Sequence, residues 1–350
     1  MTNIYPFKAI IPSKDLDYSI HNRFVCCDEK KFNFGTDCHE EKLIYISDLL
    51  KQNLLYEHAS ESFYCCKISN DDFSVIGLIA LVDSSLVDRT IFKHERCIDI
   101  KEKIYVDYFK RYKTQISPVI LIHEDKLQIN RSLNNVISQN SSLFSIKDNE
   151  YKYEIWPIND FAIYKKLYSD IGSFFIVDGH HRVSAINSIN KNKLMAVCLI
   201  SMNQIKSENI YREYFEVSDS SKNKILSFLF DNFSLIKTNK NTNLSLSNEF
   251  LFKLDSSTIY KVKNYNNDFI RRNILEFLDN SINYKNNKIN FYNHSYNRND
   301  NLLLNGKNNF SVVIPALKLM NKIKKIPLYP PHSTLFYPKL LDGLIIISYL

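Results

Sequence analysis

The stretch FFIVDGHHRVSAINSI, residues 174–189, decides how this chain is read. Phe174 to Val177 form a short apolar run with strand character, and Asp178 and Gly179 interrupt it. After the interruption Val183, Ile186 and Ile189 recur at the spacing of one helix face. The expectation is a buried strand over 174–178, a turn at Gly179 and a helix from 180 to about 190. The chain has only 6 glycines in 350 residues, where about 7% is usual. Gly179 therefore marks a position that needs a positive φ or the close approach of another group. The first turn of the helix carries N–H groups without intrahelical partners and a partial positive charge, which suits an anion. His180, His181 and Arg182 add donors there. Arg182, expected to be an exposed helix-start residue, can grip a phosphate with two parallel hydrogen bonds. The plain alternative is that Asp178 only caps the helix and the three basic residues are polar surface. A metal held by both histidines is disfavoured, because adjacent helix positions do not share a face. Asp178 is the candidate metal ligand, for a magnesium ion alongside a nucleotide phosphate.

Outward from this stretch, strands and helices interleave. IYPFKAII opens as a strand, and EEKLIYISDLLKQNLLY has apolar residues at helical spacing. SFYCCKI and FSVIGLIALVD read as a strand pair in the core, with one of Cys65 and Cys66 facing inward. IDIKEKIYVDYFKRYKT is helical, SPVILIHED is a buried strand, FAIYKKLYSDI is a helix, and LMAVCLISM is one more core strand. This alternation predicts a mixed α/β, or α+β, layered fold. After about residue 215 the character changes. KNKILSFLFDNFSLI is a helix, and asparagine then becomes dense, with short apolar runs such as FLFKLD, STIYKV and SVVIPAL and a further element at NDNLLLNG. The division drawn is an α/β core over 1–215 and a smaller α+β unit over 216–350. In the closing segment Pro327, Pro330, Pro331 and Pro338 exclude a helix and imply a constrained extended run.

Composition narrows the function classes. The chain is 45% hydrophobic with 22 Tyr and 23 Phe, ample for a packed core. The formal charge of +7 is a mild excess, and its strongest basic run, Lys322, Lys324 and Lys325, reads as a solvated face, so no nucleic-acid partner is expected. No apolar run approaches the roughly 20 residues that span a bilayer, and the start has no secretory pattern, so the expectation is a soluble, cytoplasmic protein without a membrane partner. The 7 cysteines include two adjacent pairs, Cys26-Cys27 and Cys65-Cys66, and lack zinc-site spacing. They read as reduced, mostly buried thiols.

Further motifs, in order, carry a resemblance. The chain resembles the domain-of-unknown-function family numbered 1015, whose hallmark is a strand ending in D-G-H-H-R. YPFKAIIPSK looks like the family's opening, and IFKHERCIDIKEKIY like its His-Glu segment, which places His94 and Glu95. YEIWPIND looks like its tryptophan segment, which places Trp156, read from the residues alone as core packing. PPHSTLFYPKLLDGLI looks like its closing signature, which places Ser333, Thr334, Phe336, Tyr337, Pro338 and Lys339. Three departures stand out. HNRFVCCDEKKF replaces a proline-rich stretch, Tyr211-Arg212 replaces a His-Arg pair, and His332 replaces a lysine. A wider resemblance is to the ParB/sulfiredoxin-like superfamily, in which a Gly-x-x-Arg-type turn at a helix N-terminus binds nucleotide phosphates. GHHR fits it at Gly179 and Arg182. The superfamily includes free serine kinases, which make O-phosphoserine from serine.

The resemblance implies a ParB/sulfiredoxin-like phosphate-binding core and a nucleotide-dependent phosphotransferase acting on a small hydroxyl metabolite, best matched by free L-serine. The cofactors implied are ATP or ADP and Mg²⁺, and the partners are a nucleotide and a serine- or phosphoserine-like small molecule. Catalytic roles fall to Glu95 as the base, with Asp178 as the other carboxylate, and to His181. Nucleotide contacts fall to Gly179, His180, Arg182, Ser333, Thr334 and Lys339, and substrate contacts to His94, Arg212 and Tyr337. The closing segment is expected to fold back and bring Ser333, Thr334 and Lys339 near Arg182. No G-x-x-x-x-G-K-[ST] loop and no G-x-G-x-x-G loop occurs, so neither common kinase plan applies. Two other classes stay open: a phosphoserine-type phosphatase using the same groups, and a nucleotide-binding regulator or non-catalytic binding protein.

Overall fold

The structure is a computed structural model and describes residues 2–13, 46–147, 151–189, 193–215, 217–238, 250–253, 259–262, 268–282, 289–293, 310–316, 328–331 and 333–349. The expected element at NDNLLLNG, the basic run at 322–325, and Cys26, Cys27, Cys38, Pro327 and His332 lie outside these residues. The chain divides into two compact units. The first comprises Met1–Lys93, Cys97–Ile205 and Pro338–Leu350, and the second His94–Arg96 and Lys206–Tyr337. Both mix helix and strand, so the fold is α+β.

The first unit is built on a nine-stranded mixed sheet. Its strands are β1 (Ile4–Tyr5), β2 (Phe63–Ser69), β3 (Ser74–Asp83), β4 (Ile91–Phe92), β5 (Val119–His123), β6 (Phe144–Lys147), β7 (Lys152–Ile158), β8 (Phe174–Asp178) and β9 (Leu194–Ser201). The order is β4-β8-β5-β9-β3-β2-β7-β6, with β1 also paired to β3. β2 and β3 are the expected strand pair, and the pairing is antiparallel, with Cys66 opposite Gly77. Helices α1 (Ile46–Lys51), α2 (Asp99–Tyr112), α3 (Leu127–Gln139), α4 (Phe161–Ser169) and α5 (His180–Ile189) complete the unit. Leu78, Ala80, Leu121, Ile176 and Val197 form one core with Phe109 of α2, Ile129 and Leu133 of α3, Tyr164 of α4 and Val183 of α5. Alternate residues on the other face, among them Ile79, Ile120, Ile122 and Cys198, are also buried. Burial on both faces explains why these strands read as continuous apolar runs. Cys65 and Cys66 are both buried for the same reason, and burial pushes the Cys65 thiol up to about 12. Trp156 is a core residue, as expected, with Nε1 donating to the Asn140 carbonyl at 3.1 Å.

The end of the chain completes the first unit. Ile10 and Ile346 exchange backbone hydrogen bonds of 2.9 Å, the strand Ile347–Ser348 pairs with Thr114–Gln115, and Tyr349 Oη donates to Gln115 Oε1 at 2.7 Å. The described part of the closing segment contains no helix and is interrupted by turns at Pro331 and at Asp342-Gly343.

The second unit holds a six-stranded antiparallel sheet. Its strands are β10 (Ile210–Tyr214), β11 (Leu235–Thr238), β12 (Leu251–Lys253), β13 (Ile259–Val262), β14 (Ile289–Asn293) and β15 (Phe310–Ile314), in the order β11-β13-β12-β15-β10-β14. Helices α6 (Asp219–Asn232) and α7 (Asp268–Ser281) cover one face. Ile225 and Leu229 of α6 and Ile274, Leu275 and Leu278 of α7 pack on Phe252, Phe310 and Val312. Phe228 and Phe277 stack with ring centroids 3.7 Å apart. Helices α3 and α7 have no counterpart in the sequence reading. Among the described residues no helix is long and apolar enough to cross a membrane.

Candidate functional site

The residues singled out by sequence fall into two clusters, one in each unit. In the first unit the hallmark stretch is strand, turn and helix as expected: β8 ends at Asp178 and α5 begins at His180. The register of β8 against β5 shifts between Ile176 and Asp178, a bulge of the kind that re-aims a side chain at a strand end. Gly179 has φ +98°, and its carbonyl accepts the first helical bond from Val183 N at 3.0 Å. A Cβ there would stand 3.1 Å from Arg182 Nε and Nη2. Both reasons for a glycine therefore apply, a left-handed backbone and a close neighbour.

That neighbour corrects one expectation. Arg182 is not an exposed helix-start residue, because its side chain is only 12% accessible. Its Nη1 donates to the carbonyls of Ser117 and Pro118 at 2.8 and 2.9 Å, and its Nη2 donates to Asp178 Oδ2. A guanidinium spread over two carbonyls and a carboxylate is a clamp on the chain entering β5. Lys339 holds the other oxygen of the same carboxylate, its Nζ lying 3.8 Å from Asp178 Oδ1. The Lys339 side chain is 55% accessible. Desolvation works to raise the Asp178 carboxyl, but the charges of Arg182, Lys339 and His180 and the Arg182 hydrogen bond outweigh it and hold the group below its ordinary value. Asp342 faces the same guanidinium and takes a hydrogen bond from Ser117, yet desolvation dominates and raises its carboxyl. Asp342 was not found by sequence reasoning; its one signal is the Asp342-Gly343 turn pair near Lys339.

The histidines are also committed locally. His181 Nε2 accepts the Ile98 N–H at 3.0 Å, at the residue that starts α2. Accepting that bond requires an unprotonated Nε2, so the ring is the neutral tautomer with its proton on Nδ1. Ser184 of α5 donates to Glu102 of α2 at 2.6 Å, a second tie between the helices. His180 is 7% exposed, within the apolar face of α5. Asp178 fits a metal poorly: Arg182 and Lys339 already occupy its two oxygens, and among the described residues no group of three or more His, Cys, Asp or Glu could hold an ion.

In the second unit His94, Glu95, Ser333 and Thr334 come together. Tyr329 binds the His94–Arg96 strap on both sides, its N–H donating to His94 O at 2.8 Å and its carbonyl accepting from Arg96 N at 2.9 Å. Thr334 Oγ1 donates to Glu95 Oε1 and lies 2.7 Å from His94 Nε2. His94 and Glu95 are 3% and 8% exposed, and the Phe336 ring meets the His94 ring edge-on at 5.5 Å. Ser333 Oγ donates to Pro330 O at 2.5 Å. Two buried arginines tie the segment down. Arg271, with Nη1 on Pro315 O at 2.6 Å and Nη2 on Ser333 O, also lies over the Tyr329 ring. Arg212 donates to Asp279 Oδ1 at 3.1 Å and to Pro331 O at 2.8 Å. Arg212 is 0% exposed, so its place is a scaffold inside the unit. Tyr337 is buried in the strand Phe336–Tyr337, opposite Lys206. Arg271 was missed by sequence, although a basic residue on the apolar stripe of Ile274, Leu275 and Leu278 was a legible signal.

A model of the family described as "Protein of unknown function (DUF1015)" matches residues 44–281. No curated protein matches the chain. Among solved structures, a conserved hypothetical protein from Pyrococcus furiosus is 11% identical, with a TM-score of 0.47 over 75% of this chain and 93% of that one. A free serine kinase variant in complex with AMP is 10% identical, with a TM-score of 0.47 over 76% and 92%. SbnI with a C-terminal truncation, from Staphylococcus aureus, is 10% identical, with a TM-score of 0.45 over 75% and 85%. Likeness at this level carries no statement about ligands or residue roles in this chain.

Proposed function

We propose a nucleotide-dependent phosphotransferase role for this chain, which belongs to the DUF1015 family, with a small hydroxyl metabolite of the free L-serine type as acceptor. The observation that carries the reading is the accessible Lys339 ammonium, held by Asp178 at the N-terminus of α5. Phosphoryl transfer asks chiefly for positioning and neutralisation of charge. The first-turn N–H groups of α5 and Lys339 are the phosphate grip in this proposal. Asp178 and the Arg182 clamp orient the grip, and Gly179 lets the backbone approach. His181 keeps α2 and α5 in register. In the second unit Glu95 is the proposed general base, with His94 and Thr334 at its side and Tyr337 in the neighbouring strand. ATP or ADP supplies the phosphoryl group. Magnesium, in this reading, travels with the nucleotide phosphates, since no group of three or more His, Cys, Asp or Glu among the described residues builds a site for it.

The test is direct. Purified protein is mixed with L-serine, Mg²⁺ and either ATP or ADP, and O-phosphoserine is followed by mass spectrometry. Glu95→Gln keeps the shape of the side chain but removes its basicity, and turnover is expected to fall about 10² to 10⁴-fold. Lys339→Ala is expected to weaken nucleotide binding without unfolding the protein. Phosphoserine hydrolysis without nucleotide would replace the kinase reading with the phosphatase one. Absence of both reactions in the wild type would overturn the free-serine reading in both directions.

A further inference from the structure

We propose that Thr334 is itself a phosphoryl acceptor, converted to phosphothreonine by a nucleoside triphosphate. The inference rests on the nucleotide-dependent reading above, and it goes further by assigning a covalent step to a residue of the chain. A threonine hydroxyl has one proton. Here that proton points to Glu95 Oε1. The 2.7 Å contact between Thr334 Oγ1 and His94 Nε2 is therefore donated by the imidazole N–H. The oxygen stands between a carboxylate able to take its proton and an N–H able to stabilise charge that grows on it. This is the local arrangement of an activated hydroxyl nucleophile.

A hydroxyl that only closes a turn bonds to its own segment, as Ser333 Oγ does to Pro330 O. Thr334 instead bonds to two residues 239 and 240 positions away in sequence. Its partners are nearly sealed from water, whereas Thr334 is only half-buried. Both flanks of the contact are fixed. Tyr329 pins the His94–Arg96 backbone, and Arg271 pins the Ser333 carbonyl. The hydroxyl is thus held on the carboxylate by the backbone around it.

The step balances without any redox change. A bond forms between Thr334 Oγ1 and the terminal phosphorus of the triphosphate. The bond from that phosphorus to its bridging oxygen breaks, and the nucleoside diphosphate leaves with the electron pair. The hydroxyl proton passes to Glu95.

The experiment uses the full chain with ATP carrying a labelled terminal phosphate, Mg²⁺ and no serine, followed by an acid quench, intact mass measurement and peptide mapping. A parallel sample with serine is assayed for phosphoserine. One phosphoryl group on Thr334 is expected. Thr334→Val should remove it, and Glu95→Gln should slow it about 10² to 10⁴-fold. Thr334→Ser should keep the label at that position, which carries the comparison if Thr334→Val fails to fold. Label on Thr334 without phosphoserine supports the inference and sinks the free-serine reading. Phosphoserine formed while Thr334 stays unlabelled overturns the inference and leaves the kinase reading standing. Neither product overturns both.

Discussion

Arg182 shows how a motif residue can be right in place and yet more buried than its position in the sequence suggests. A basic residue three positions after Gly179 was read as a phosphate grip, but its guanidinium is shared among Ser117 O, Pro118 O and Asp178. Removing it leaves two carbonyls and a largely desolvated carboxylate without their donor. Arg182→Ala is therefore expected to destabilise the protein by about 1.5–3 kcal/mol, the range for hydrogen bonds to charged groups. Urea unfolding of the wild type and variant checks this, and an unchanged midpoint would refute the clamp. The two nearby aspartates give opposite pH signatures. Asp178 has a lowered folded pKa, so its contribution is present above the ordinary value of about 3.9 and is lost as pH falls below it. Asp342 has a raised folded pKa, so its contribution is present at acid pH and is lost as pH rises above that ordinary value. Asp178→Asn should flatten the acid limb of a stability–pH profile, and Asp342→Asn should flatten the fall on the other side.

At the level of elements, the hallmark strand, turn and helix were legible because each signal is local: an apolar run, one of few glycines, and a 3.6-residue period. The link from α5 to α2 was not. His181 Nε2 serves the backbone of Ile98, 83 residues earlier. Replacing it with Phe keeps a ring but removes the acceptor, at an expected loss of about 1 kcal/mol. Amide exchange should accelerate in the first turn of α2 (Asp99–Tyr112) and little elsewhere, and His181→Gln should restore part of the protection. Equal exchange in wild type and His181→Phe would show that the bond does not hold the helix start. Helix α3 was missed although Ile129, Leu133, Val136 and Ile137 have helical spacing, because asparagines and serines interrupt the pattern and lower helix propensity. Helix α7 was hidden by the asparagine-rich sequence around it.

At the scale of the molecule, the last residues of the chain are part of the first unit. Leu344, Ile345, Ile346 and Ile347 are buried, and Ile346 pairs with Ile10. Burying such side chains is worth about 1.5–3 kcal/mol each, so together they rival a typical total stability of about 5–15 kcal/mol. A chain ending at Tyr337 is expected to lose cooperative folding of the first unit, seen as loss of the thermal transition and rapid proteolysis between β2 and β9. A truncated protein that melts like the full chain would show that the tail is dispensable.

Sequence alone determined what depends on near neighbours. It marked the buried strands by their apolar runs, the turn by Gly179, the lack of helix in the described tail by its prolines, and the family by motifs kept in order. Only the tertiary structure decided what depends on residues far apart. It showed which side chains spend their hydrogen-bonding groups inside the protein, Arg182 and Arg212 as donors and His181 as an acceptor, and which remain accessible, as Lys339 does. It brought Thr334 to Glu95 and His94 across most of the chain. The physical reason is that a polar side chain takes its role from the partners that desolvate and hydrogen-bond it, and those partners are chosen by packing, which local sequence patterns do not record.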